Sequence, residues 1–68
     1  MSIEYPLAKS IKKFRGRAGL TQEALARKAD ISYNTIIKLE TGGIIDPRIS
    51  TIVKVAKALG IRVDELIR

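Results

Sequence analysis

The chain has 68 residues, a formal net charge of +6, and neither cysteine nor histidine. Those two absences remove disulfides, thiolate and imidazole metal ligands, and any Ser-His or Cys-His nucleophile pair; with no phosphate-binding glycine loop and no obvious carboxylate pair, the composition points away from an enzyme, a metal site or a cofactor. No apolar run is long enough to span a membrane and the start, MSIEYPLAKS, lacks the apolar core of a signal peptide, so a cytoplasmic, nucleoid-associated protein is expected, its positive charge favouring a polyanionic partner.

Met1 to Pro6 reads as a lead-in, with Pro6 well placed at or just before the first turn of a helix. Leu7 to Ala18 is the first predicted helix, and Leu7, Ile11, Phe14 and Ala18 form its narrow apolar stripe. The rest of it carries Lys9, Lys12, Lys13, Arg15 and Arg17 with no acid. Such a run suits a polyanion, and equally an ordinary solvated face. Arg15 differs in bordering the apolar stripe. Gly16 lies inside this helix, where it costs about 1 kcal/mol relative to Ala, and the sequence gives no reason for it. Gly19 closes the helix.

The stretch Thr21 to Glu40, TQEALARKADISYNTIIKLE, organises the rest. Thr21 is an N-cap for a helix over 22–29, because its hydroxyl can accept from the orphan N–H groups of the first turn. Leu25 and Ala29, four apart, share one face of that helix, and small Ala26 lets a second helix cross closely. Asp30 tolerates the left-handed conformation that a tight turn requires, Ile31 plugs the turn, and Ser32 caps a helix over 33–40. At about 100° per residue, Ile36 and Leu39 fall on its inner side, while Tyr33, Asn34, Ile37, Lys38 and Thr41 form a wide outer stripe. That stripe offers donors, an acceptor and one apolar group without an acid, the layout of a helix that enters a DNA major groove.

The Thr21-Gln22-Glu23 opening, Leu25-Ala26, Ala29, Ile31 after the turn, and Ile36, Leu39 and Glu40 together resemble the helix-turn-helix of the phage-repressor and Cro-like (Xre-type) DNA-binding domains. The resemblance runs from about Leu7 to Leu66. It implies an all-α, compact five-helix, lambda-repressor-like domain with a central helix-turn-helix, occupying 1–68 as a single domain. It also implies an ion pair between Arg15 and Glu40, joining the first helix to the third. In that family the connection after the recognition helix often carries basic residues that grip phosphates. Here Ile44, Ile45 and Asp46 stand there and only Arg48 follows, which departs from the pattern. Of the two isoleucines, one is expected to tuck into the core and the other to remain exposed for a dimer or partner contact.

The fourth predicted helix begins at Pro47 or Arg48 and runs to Leu59, with Ile49, Ile52, Val53, Ala56 and Leu59 as its apolar stripe. Gly60 closes it. A last short helix spans 63–67, with Asp64 and Glu65 in its first turn, where acids suit the helix dipole. Leu66 is a core candidate, and Ile61, Val63 and Ile67 are candidates for a dimer surface. The chain stops where domains of this family stop, so no sensor or catalytic domain is expected within it.

The side chains divide by task. Phosphate contacts set register and supply much of the affinity, whereas base contacts read sequence. Gln22, at a helix start where anions are favoured, matches a position the family uses to hold a phosphate. Ser32, Arg48 and Lys9 complete the expected phosphate set. Tyr33, Asn34, Ile37 and Lys38 are the expected base readers: Asn can pair with adenine, Lys can donate to guanine, and Tyr33 offers a hydroxyl and a ring. Ile37 meets a thymine methyl or is simply an exposed aliphatic residue. The sequence thus predicts a sequence-specific double-stranded DNA binder that regulates transcription as a homodimer on an inverted repeat. The alternative is an antitoxin-type or adaptor module whose helix-turn-helix serves a protein partner, a toxin for instance.

Overall fold

A computed structural model describes residues 6–67. Five helices follow one another: α1 (Pro6–Arg17), α2 (Gln22–Ala29), α3 (Tyr33–Thr41), α4 (Ile49–Leu59) and α5 (Val63–Ile67). The residues before Pro6 lie outside the described part.

The helix ends follow from local chemistry. Thr21 caps α2 by accepting from the N–H of Ala24 at 3.0 Å, and Ser32 caps α3 by accepting from the N–H of Thr35 at 3.1 Å. Three connections close alike. The N–H groups of Leu20, Ile31 and Ile61 donate to the carbonyl oxygens of Arg15, Ala26 and Ala56, each at 3.0 Å. Before each of the three stands a left-handed residue, Gly19, Asp30 or Gly60. This closing motif satisfies late-helix carbonyls and folds an apolar residue back over the helix it ends; Leu20, Ile31 and Ile61 are all packed against the core. Asp30 is the one residue other than glycine with positive φ among those described (φ 57°, ψ 47°), as its side chain allows.

The core gathers Ile11, Leu25, Ile36, Leu39, Val55 and Leu66, all essentially sealed from solvent, with Ala26, Ala29, Ala56 and Ala58 where helices meet closely. α1 packs on α3 and α5, α2 on α3 and α4, and α4 on α5. Leu7 and Phe14 border the core. Ala18 does not: α1 ends at Arg17, and Ala18 is exposed in the turn, its N–H held by the carbonyl of Phe14. Ala8, outside the expected stripe, is buried.

α4 departs most from expectation. Ile49 and Val53 are exposed, and Val55 and Ala58 are buried in their place. Thr51, Ile52 and Val55 line the interior with Leu7, Ile11, Leu39, Pro47 and Leu66, which turns the helix by roughly 80° from the stripe over 49, 52, 53, 56 and 59. Arg48 holds the N-cap position of α4 without a side-chain cap bond. Ile44 packs on the core while Ile45 points out. Of the three C-terminal residues expected at a dimer surface, Ile61 and Val63 pack against the core and only Ile67 is exposed.

Candidate nucleic-acid interface

α3 shows two unlike sides. Ile36, Leu39 and Glu40 are buried. Tyr33, Asn34 and Lys38 are exposed, with half-buried Ile37 between them. The 3.6-residue period sets this division, since positions 33, 34, 37, 38 and 41 fall within one arc of roughly 140°. Thr41 belongs to the arc, but its hydroxyl donates to the carbonyl of Ile37 at 2.8 Å and is already engaged. Lys38 is the arc's only charged side chain. The acid of the helix, Glu40, is turned inward.

Glu40 is 2% exposed and is the buried charge that the described residues contain. It is fully met. Nε of Arg15 donates to its Oε2 at 2.8 Å, and Nη2 donates to its Oε1 at 3.1 Å. The remaining guanidinium nitrogen, Nη1, donates to the carbonyl oxygen of Leu20 at 2.9 Å. A third donor reaches Glu40: Nε2 of Gln22, at 3.1 Å from Oε1. One carboxylate at the end of α3 therefore takes bonds from α1 and from the start of α2, and Arg15 ties the loop after α1 to the same group through Leu20.

The N-termini of α2 and α3 each carry a side-chain cap. Around Thr21 the cap bonds take the N–H groups of Ala24 and Leu25, leaving those of Gln22 and Glu23 outside them. At α3 the hydroxyls of Ser32 and Thr35 lie 2.7 Å apart. Whichever of them donates, the other hydroxyl keeps its proton for an outside acceptor. Thr35 was not legible as part of this cap, although Ser-x-x-Thr is a cap spacing in which the third helical residue also carries a hydroxyl. Glu23 lines a shallow hollow with Ala26, Arg27, Ile31 and Tyr33, so one acid with a basic neighbour borders the outer side of α3.

The basic residues distribute unevenly. Arg48 is exposed just before α4. Lys9 is exposed on α1, about 160° around the helix from buried Ile11, and so lies on the far side of α1 from the core. Phe14, half-buried, is flanked by two cations, with Nζ of Lys13 at 5.4 Å and the guanidinium carbon of Arg17 at 5.6 Å from its ring centroid. Among the described residues no three acids gather as metal ligands, and no helix is long and apolar enough to cross a membrane.

The chain is similar in sequence and fold to known proteins. A relative from Methanocaldococcus jannaschii, named an uncharacterised HTH-type transcriptional regulator, is 38% identical over 56 residues, which cover 82% of this chain and 83% of the relative. The hypothetical transcription factor NHTF from Neisseria superposes with a TM-score of 0.87 at 30% identity, over 93% of this chain and 70% of that one. SinR of Bacillus subtilis, described as the master regulator for biofilm formation and solved in complex with DNA, superposes with a TM-score of 0.88 at 26% identity, over 91% and 98% of the two chains. The model of the helix-turn-helix family HTH_3 matches residues 11–66, and the chain belongs to that family.

Proposed function

We propose that this protein is a transcriptional regulator that binds double-stranded DNA sequence-specifically, with α3 in the major groove. The observation that carries the reading is the outer face of α3, where Tyr33, Asn34, Ile37 and Lys38 stand together with no carboxylate among them while Glu40 is buried and neutralised. A helix of this width and chemistry fits the groove and offers hydrogen-bonding partners to base edges. Gln22 at the start of α2, the Ser32–Thr35 hydroxyl pair and Arg48 supply phosphate contacts around it. Lys9, on the far side of α1, adds charge at longer range.

The protein acts as a homodimer on an inverted repeat, its two recognition helices entering successive major grooves about 34 Å apart. Ile45 and Ile49, 59% and 66% exposed on and beside the loop that follows α3, give such a dimer an apolar contact. The same two residues favour the second reading, a protein-interaction module of antitoxin or adaptor type.

Selection from a random duplex library at about 150 mM salt tests the proposal, because plain electrostatic attraction is weak there. An enriched inverted repeat is the expected result. Binding without enrichment, lost steeply as salt rises, would remove the groove-reading role of α3 and leave the protein-partner reading.

A further inference from the structure

Gln22 and Glu40 are eighteen residues apart, and the fold joins them through one hydrogen bond of 3.1 Å from Nε2 to Oε1. The carboxylate is fixed first. Arg15 holds both of its oxygens, at 2.8 and 3.1 Å, and Arg15 is itself held by the carbonyl oxygen of Leu20 at 2.9 Å. A carboxylate bound to a guanidinium has only acceptor sites to offer. It therefore turns the Gln22 amide one way, nitrogen toward Glu40 and oxygen away, and leaves one amide proton for an outside acceptor. The Arg15–Glu40 pair has no net charge, so Gln22 is fixed by an acid without the site becoming repulsive to phosphate.

We propose that Glu40 is a positioning residue for DNA binding: it orders the side chain of Gln22 before DNA arrives and directs its remaining N–H to a phosphate. A flexible glutamine loses rotamer freedom when it binds, and a glutamine already tethered has little left to lose. The ion pair that ties α1 to α3 thus also sets the grip of α2 on the DNA backbone. The inference rests on the reading of Gln22 as a phosphate contact.

A double-mutant cycle tests it, measuring affinity for the best-enriched duplex at constant salt with the wild type, Gln22→Ala, Glu40→Gln and the double variant. Any change in overall charge or fold from Glu40→Gln acts in both backgrounds, so the cycle isolates what passes through Gln22. Glu40→Gln is expected to weaken binding at least about three-fold more in the wild-type background than in the Gln22→Ala background. An equal factor in both backgrounds overturns the proposal and leaves Glu40 a residue of the fold alone. Wild-type affinity in Gln22→Ala overturns instead the phosphate reading of Gln22, and the proposal with it. A second measurement needs no variant. Gln22 and Asn34 are the only carboxamide side chains in the sequence, so their two NH2 resonance pairs are readily told apart. Without DNA, Gln22 is expected near the order parameter of rigid backbone, roughly 0.85, and exposed Asn34 below about 0.6. A Gln22 side chain as mobile as that of Asn34 overturns the proposal.

Discussion

Arg15 and Glu40 stand twenty-five residues apart in the chain and 2.8 Å apart in space. Arg15 is 23% exposed and Glu40 only 2%, so the pair is screened little by solvent. Arg15→Ala would leave Glu40 buried with the Gln22 amide as its remaining donor. Removing one partner of a buried pair costs about 3–5 kcal/mol. For a domain of this size that lowers the melting temperature by roughly 12 °C or more. Lys9→Ala, at an exposed site, should change stability by less than about 0.5 kcal/mol. Thermal unfolding of the two variants side by side decides the matter, and equal melting temperatures would show that the ion pair contributes nothing net.

Gly16 should be a point of easy gain. It lies within α1, and a Cβ built on it meets nothing within 4 Å. Its φ is not in the left-handed range. Gly16→Ala therefore removes the backbone-entropy cost of glycine with no steric penalty, raising stability by about 1 kcal/mol. The denaturant midpoint should move up at constant slope. A lower midpoint would mean that this position needs the absence of a side chain for a reason the fold does not contain.

At Asp30 two small effects point the same way. The residue is left-handed, and its carboxylate stands at the C-terminal end of α2, where the helix dipole disfavours negative charge. Asp30→Gly relieves both and should stabilise by up to about 1 kcal/mol. Asp30→Val meets the full left-handed penalty and should destabilise by about 1–2 kcal/mol or more. Urea titrations that rank the two variants in the reverse order would show that the Asp30 side chain stabilises the turn by some other route.

These helix ends explain why so much of the fold was legible. Thr21 and Ser32 announce two starts and Gly19, Asp30, Gly42 and Gly60 four stops, by chemistry confined to a few neighbouring residues. The inner face of α4 was not legible for a physical reason. ISTIVKVAKAL is apolar over most of its circumference, so stripes centred on Ile49 and on Val55 have equal spacing. Only the packing of Pro47, Leu7 and Leu66 around Thr51, Ile52 and Val55 chooses between them. The outer side of α3 could be read from period and polarity because it depends on one helix. The Gln22–Glu40 bond could not, since it requires the starts and ends of two helices to be placed before either side chain has a partner.

Arg48 and the outer face of α3 should fail differently when altered. Arg48 is exposed at the N-cap position of α4 with no cap bond from its side chain, so Arg48→Ala leaves no buried group unmet. If it holds a phosphate, its loss weakens binding to all duplexes alike and lowers the slope of log affinity against log salt by about 0.9. Lys9→Ala, across α1, should change that slope less. Asn34→Ala and Lys38→Ala should each cost about 1–3 kcal/mol on the enriched site and relax preference at one base-pair position, because a base reader discriminates only where it touches. Repeating the library selection with each variant separates the two classes. A relaxed site in Arg48→Ala, or unchanged preferences in both α3 variants, would move sequence reading from α3 to the segment before α4.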